Sequence, residues 1–469
     1  MNLNQTLQEK YQHLEVSVFS YSKVKEHLIF GSEFNSNTRE NAIQSIISNK
    51  NVNDYFELIN TNVSTLKEFV YMYDLTHSLG NFMIDVEPTQ EIGSNKKEAI
   101  KGDFVISRLR SYLKEMAVIQ SKNFKQLLST EYLVYRPKTN LLSSNTLLAF
   151  SLSRIVQTIL NYSQYGTEHP RFYEFVFNEM PIPKCLLLMN TEIDSIMNKA
   201  YEVLEQSKIF YKKAEETLYL ELGLDPKNPL QSLLDSKTNN PTNSLNISIR
   251  TLKESFLKTG RLDSEYYQKK YEINEKIIMN KKYTVLDNLV SITKSIEPGS
   301  NLYKNKGIPF IRVANLTQYG LSEADVFLDE KDFFPQYLQI LYPKKDTILF
   351  SKDGSVGVAY CVKEDKEVIT SGAILHLNIK DKENILPEYL TLFLNSIFAK
   401  LQAQRDCGGS IISHWRIEDI KKVLVAILDI KTQEKIAKYI QESFNLRKKS
   451  KQLLDNAKIK VEEQIQGNK

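Results

Sequence analysis

The chain has 469 residues, 42% of them hydrophobic and 25% charged, ordinary usage for a soluble globular protein of two or three domains. Its 61 basic and 57 acidic residues leave a net charge of only +4, so a nucleic-acid partner requires basic side chains gathered on one face. Three widely spaced cysteines (Cys185, Cys361, Cys407), with no CxxC, argue against a disulfide framework or zinc site. They are expected to be reduced thiols in a cytoplasmic protein. The first residues, MNLNQTLQEKYQHLEV, lack a charged-then-apolar signal pattern, and no apolar stretch approaches the ~18 residues of a membrane span.

In chain order, four segments of the first half match four of the second, in the same sequence. VKEHLIFGSEFNS (Val24 to Ser36) resembles LKESFLKTGRLDS (Leu252 to Ser264). FVYMYDLTHSLG from Phe69 resembles FIRVANLTQYGL from Phe310. KGDFVISRLRSYL (Lys101 to Leu113) resembles KKDTILFSKDGSV (Lys344 to Val356). PIPKCLLLMNTEIDSIM from Pro181 resembles LVAILDIKTQEKIAKYI from Leu424. So long a period means duplicated domains and not a solenoid.

Each copy reads alike. FVISRL and TILFS are strand-length apolar runs. LLSTEYLVYRP and VITSGAILHLNI read as the next strand, and NTLLAFSLSRIVQTIL and PEYLTLFLNSIFAKLQ carry apolar residues at helical spacing. Between the copies, Asp225 to Ser244 is rich in Pro, Asn and Ser and reads as a loop or flexible linker.

Two long stretches, from Thr191 to about Leu222 and from about Thr432 to Gln466, contain no Pro and only helical patterning. Small residues recur every seven positions in both: Ala200, Ser207 and Ala214 in the first, Ser443, Ser450 and Ala457 in the second. Small residues at one heptad position let two helix backbones approach closely. The fold expected is therefore mixed α/β: two tandem globular domains (1–186 and 245–429), a linker (225–244), and two long helices (187–224 and 430–469) forming an antiparallel coiled coil. The alternative is that each helix packs separately on its own domain.

The chain lacks GxGxxG, GxxxxGK[ST], HExxH and the N/D-P-P-aromatic motif of an adenine methyltransferase. Its six histidines show no metal-ligand spacing, so neither catalysis nor a metal is expected.

The layout and several segments resemble the specificity subunits of type I restriction–modification systems. These segments are RLDSEYY (Arg261 to Tyr267), IPFIRVANLT (Ile308 to Thr317), KKDTILFSKDGSVG (Lys344 to Gly357), GGSIISHWRIEDIKKVLVAI (Gly408 to Ile427) and TQEKI (Thr432 to Ile436). Where the family often has a Pro-rich turn followed by Glu-Gln, this chain keeps only Gln433, and Asn190 in the first copy. The resemblance implies a non-catalytic DNA-recognition subunit. Each globular domain would be a target recognition domain reading one half of a bipartite site on double-stranded DNA. The coiled coil would set the gap and dock two methyltransferase subunits, which carry S-adenosylmethionine, and a restriction/translocase subunit would join them. A component of a related modification or phage-defence system, a coiled-coil interaction protein, and an enzyme with an unrecognised site are the alternatives.

A recognition domain needs phosphate clamps for affinity and side chains at base edges for specificity. In the first copy, Arg108, Arg110, Tyr112 and Lys114 alternate beyond a strand and are expected on one face. Their counterparts are Ser351, Lys352, Gly354 and Ser355, with Gly354 and Gly357 letting backbone approach a phosphate. A second loop sets Thr76 and His77 against Arg312, Asn315, Gln318 and Tyr319. Asn and Gln suit adenine. A third sets Thr167 and Arg171, with Gly166 and His169, against Gly409, Ser410 and His414. For each loop an ordinary solvated turn is the alternative.

Overall fold

The computed structural model describes residues 3–14, 16, 18–25, 27–66, 68–235, 249–408 and 413–467. Unit 1 comprises Met1–Leu204 with Lys448–Lys469, and unit 2 comprises Glu205–Arg447. In unit 1 the longer strands are β1 (Phe56–Ile59), β2 (Val70–Tyr73), β3 (Lys96–Ala99), β4 (Phe104–Ser107), β5 (Met116–Val118), β6 (Lys125–Ser129) and β7 (Tyr132–Pro137). Helices α1 (Ser144–Ser151) and α2 (Arg154–Asn161) follow, then the first long helix, α3 (Lys184–Glu221). Residues 104 to 107 are buried on both faces, which makes β4 a central strand in the antiparallel order β1-β7-β4-β5. A second sheet places β3 and β2 on either side of β6, with β2 and β6 parallel.

Unit 2 repeats this plan. After α4 (Pro229–Asp235) come β8 (Val290–Lys294), β9 (Ile308–Ile311), β10 (Ile348–Ser351), β11 (Ala359–Cys361), β12 (Ile369–Thr370) and β13 (Ile374–Ile379). Then follow α5 (Pro387–Asn395), α6 (Ile397–Asp406) and the second long helix, α7 (Ile430–Gly467). The order β8-β13-β10-β11 matches that of unit 1 strand for strand, and β9 pairs with β12 in parallel as β2 does with β6. The duplication is thus one of topology as well as sequence.

The hydrogen bonds also correct the sequence alignment. Gly102 donates its N–H to Ile119 O and Asp346 to Val362 O, and both residues are left-handed (φ 90° and 69°). Asp346 is therefore the partner of Gly102 and not of Asp103, a slip of one residue. Likewise Ile84 N bonds to His77 O and Ser322 N to Asn315 O, which aligns β2 with β9 three residues away from the sequence match. LLSTEYLVYRP and VITSGAILHLNI are not single strands. A turn divides each into two strands of different sheets, β6 and β7 or β12 and β13. NTLLAFSLSRIVQTIL and PEYLTLFLNSIFAKLQ each form two helices, broken at Ser153 and at Ser396. Part of the expected linker is helix α4, with Leu233 fully buried, while residues 236–248 lie outside the described residues.

One side-chain amide ties the long helix to the globular domain in each unit. Asn190 Oδ1 accepts Ser143 N–H (2.8 Å), and Gln433 Oε1 accepts Leu386 N–H (2.9 Å). Ser143 and Leu386 are the N-caps of α1 and α5, so each amide satisfies a helix-end donor that would otherwise lack a partner.

All six small heptad residues are at most 1% exposed. In unit 1, Ser450 Oγ donates to Ala200 O (2.8 Å) and Lys460 pairs with Glu192 (2.7 Å). In unit 2, Ser443 Oγ donates to Ser207 O (2.7 Å), and the Tyr439 ring lies tilted against Phe210. In both units higher numbers on α7 meet lower numbers on α3, so the helix segments run antiparallel. A side chain bonded directly to the opposing backbone requires close approach, which only small residues permit.

Ala200→Leu and Ala214→Leu should each overpack this seam and cost about 1 to 3 kcal/mol. Thermal melts of the two variants check it, and melts matching the parent would contradict the seam. A second expectation concerns His376, which is 6% exposed on β13, with Nε2 2.8 Å from Thr370 Oγ1. Burial pushes its pKa down to about 4. The unfolded chain therefore binds the proton first, and stability falls as pH drops from about 6.5 toward 4. At pH 5 the loss should be about 2 kcal/mol. Melts of parent and His376→Gln at pH 7 and pH 5 should show the smaller acid shift in the variant.

Candidate nucleic-acid interface

Where β4 ends, its chain crosses to a returning segment late in the unit. Arg108 N–H bonds to Glu131 O, Phe172 N–H to Arg108 O, and Arg110 N–H to Pro170 O. Unit 2 repeats this ladder: Lys352 N–H to Ala373 O, Trp415 N–H to Lys352 O, and Gly354 N–H to Ser413 O. Single β-bridges, Leu109 to Arg171 and Asp353 to His414, close both. The ladder makes Arg108 and Lys352 counterparts, and likewise Arg171 and His414.

The expected strand-like alternation beyond β4 does not occur. The chain leaves the strand after Ser107, and Arg110 and Lys114 are left-handed (φ 49° and 53°) around a 3-10 turn, Ser111–Leu113. Gly354 and Gly357 take the same conformation (φ 70° and 84°). A Cβ at either glycine would meet nothing closer than 4.0 Å, so the glycines serve the turn and not close packing.

Charges at the ladder are paired. Arg171 grips Glu131 with Nε (3.0 Å) and Nη2 (2.7 Å), and its Nη1 donates to His169 O. Arg108 Nη2 lies 3.5 Å from the same carboxylate. The hydrogen bonds from Arg171 hold the Glu131 carboxyl below its ordinary pKa. Nearby Lys97, buried and bonded to Tyr132 O, has its pKa lowered by burial first and by Arg108 second. Arg110 Nη2 reaches His169 Nδ1 (3.0 Å). In unit 2, Asp353 sits between Lys352 and His414, the latter at 2.9 Å.

The other expected readers divide sharply. Tyr112 and Thr167 are exposed beside Arg110 and His169, and Ser355 is exposed next to Gly354. Ser351 is fully buried, its hydroxyl bonded to Ser355 O and Val358 N. Asn315 is no adenine reader in this geometry: Oδ1 accepts Arg312 N–H, and Nδ2 donates to Ser322 Oγ and Glu323 O. His77 does the same work in unit 1, its Nδ1 accepting Asp74 N–H. Thr76 is exposed on that turn, which Asn81 joins to Lys114 O. Arg312 pairs with Asp325, and Gln318 is half-buried. Tyr319 lies under the Arg447 guanidinium (3.6 Å) and against Tyr211, so it packs on the long helices. Gly409 and Ser410 lie outside the described residues.

Residues 286–456 match the family model of the type I restriction modification DNA specificity domain. No curated protein matches the chain. Solved structures similar to it include the following three. One is a chain from a study of complex assembly and conformational transition of the type I R-M system (15% identity, 87% of this chain and 96% of that one, TM-score 0.28). Another is the HsdS subunit from Thermoanaerobacter tengcongensis (14%, 90% and 96%, 0.29). The third is the type I restriction-modification S subunit from M. genitalium (13%, 90% and 96%, 0.37).

The matched residues include Lys352, Asp353 and His414, and the same ladder recurs in unit 1. Sequence reading missed both carboxylates. Glu131 lies in the turn between two strands that read as one, and Asp353 sits in a run taken for glycine-rich backbone. Among the described residues, no cluster of three or more His, Cys, Asp or Glu is placed to hold a metal, and no helix is long and apolar enough to cross a membrane.

Because Gly354 occupies the corner that Arg110 fills, Arg110→Gly should relieve left-handed strain without remodelling the loop. Arg110→Ala keeps the strain and should melt as the less stable variant by about 1 kcal/mol. Equal stability of the two would show that the corner carries none.

Proposed function

We propose that this chain is the DNA sequence-specificity subunit of a type I restriction–modification complex, each unit reading one half of a bipartite site on double-stranded DNA. The observation that carries the reading is the repeated ladder. In both units it holds basic side chains and exposed turn residues at equivalent positions, and one copy lies inside a matched DNA specificity domain. Arg108, Arg110 and Lys352 supply phosphate contact or guanine recognition. Tyr112, Thr167, Ser355 and His414 flank them at base edges. Arg171, with its fork engaged by Glu131, braces the loop.

In this reading the subunit is not itself an enzyme and works in the cytoplasm. Two methyltransferase subunits dock on the paired long helices, bring S-adenosylmethionine and methylate adenine. A restriction/translocase subunit adds cleavage. The paired helices act as the spacer between half-sites.

Co-expression with a partner methyltransferase and mapping of methylated sites tests this division of labour. Arg108→Ala should relax or weaken one half-site only, and Lys352→Ala the other. An arginine bidentate to guanine should cost about 1 to 3 kcal/mol at that base, whereas a phosphate clamp should lower affinity uniformly across sequences. Equal damage to both half-sites by Arg108→Ala would overturn the two-reader reading.

A further inference from the structure

The two ladders share a feature that neither the repeat nor the family match accounts for. Each places one carboxylate between the two basic side chains at counterpart positions: Glu131 between Arg108 and Arg171, and Asp353 between Lys352 and His414. These carboxylates do not come from counterpart positions. The ladder aligns Glu131 with Ala373 and Asp353 with Leu109. A negative charge is thus present between counterpart basic side chains in both units, delivered from the turn before β7 in one and from the segment after β10 in the other. A sequence position inherited through duplication would have kept its place in the chain. A charge supplied independently in each unit points to a requirement for the charge itself.

We infer that Glu131 and Asp353 act as internal substitutes for a DNA phosphate, restraining the basic side chains so that non-cognate duplex is bound weakly. This rests on the DNA-reading role proposed above and adds the means by which discrimination is sharpened. Duplex binding draws most of its sequence-independent strength from release of counterions condensed on the phosphates that protein cations neutralise. A cation already neutralised by its own carboxylate brings no net charge to a phosphate, and so contributes little of that release. A DNA site must offer base contacts, besides phosphate, to draw Arg108 or Lys352 away from its carboxylate. The side chains at the ladder are partly accessible, with 29% exposure for Arg108, 25% for Glu131 and 20% for Asp353, so an exchange of partners needs no unfolding.

The test uses the full-length chain and a duplex of random sequence, titrated by fluorescence anisotropy from 50 to 200 mM salt, for the parent, Glu131→Gln, Asp353→Asn and Glu131→Asp. Removing one carboxylate should free about one cation. Glu131→Gln and Asp353→Asn should each bind random duplex more tightly at low salt. Their log–log salt slopes should steepen by about 0.9, or about 3.5-fold more loss across that fourfold range. Glu131→Asp keeps the charge and should keep the parental slope. Thermal melts identify a variant that has merely lost its fold, and the independent substitution in the other unit then decides. Folded Gln and Asn variants with parental affinity and slope would overturn the inference and show the carboxylates to be braces only. If the parent and both neutralised variants bind no duplex at any salt, the DNA-reading role fails, and this inference fails with it.

Discussion

Two serine hydroxyls bonded to backbone carbonyls of the opposing helix govern how the long helices are used. Ser450 Oγ to Ala200 O in unit 1 and Ser443 Oγ to Ser207 O in unit 2 fix both the separation of the helix segments and their register. A slip of less than a full heptad would leave a buried hydroxyl without its carbonyl and bring a large side chain against backbone, costs that hydrophobic packing alone would not impose. From that register the rest follows locally. Asn190 and Gln433, each near the start of its long helix, hold the first turn of α1 or α5, and those helices cover the sheet whose central strand leads into the ladder.

The features legible in sequence are those repeated with a short fixed period. Small residues every seven positions announced the helix seam, and the apolar runs at Phe104 and Ile348 announced central strands. Gln433 and Asn190 stand where the chain departs from a family motif. The structure shows them making the same hydrogen bond, because an amide oxygen at either side-chain length can reach a helix-end N–H. What stayed hidden depends on where the chain turns. The Glu131 turn looks like the middle of a strand, since residues on both sides are apolar and β-prone. The one- and three-residue alignment slips share this cause: left-handed corners and 3-10 turns are fixed by backbone hydrogen bonds that leave little trace in side-chain identity.

Asn315 and His77 carry the same lesson for function. Their chemistry suits base recognition, yet each is spent on its own turn, accepting the N–H of the residue three before it. Side chains of Asn and His readily bond nearby backbone in this way, so composition overstates their availability to a ligand. Arginine is harder to satisfy locally. The fork of Arg171 is nevertheless consumed, whereas Arg108 makes a single long contact and keeps Nε without a partner.

The left-handed corner occupied by Arg110 in one unit and Gly354 in the other has an evolutionary consequence. A backbone conformation imposed by hydrogen bonds to Pro170 or Ser413 accepts either residue. A long cation can therefore be gained or lost there in one substitution while the loop keeps its path. If each unit reads one half-site, as proposed above, such a position lets one repeat change its target while its sibling holds the old one, with no unfolded ancestor in between.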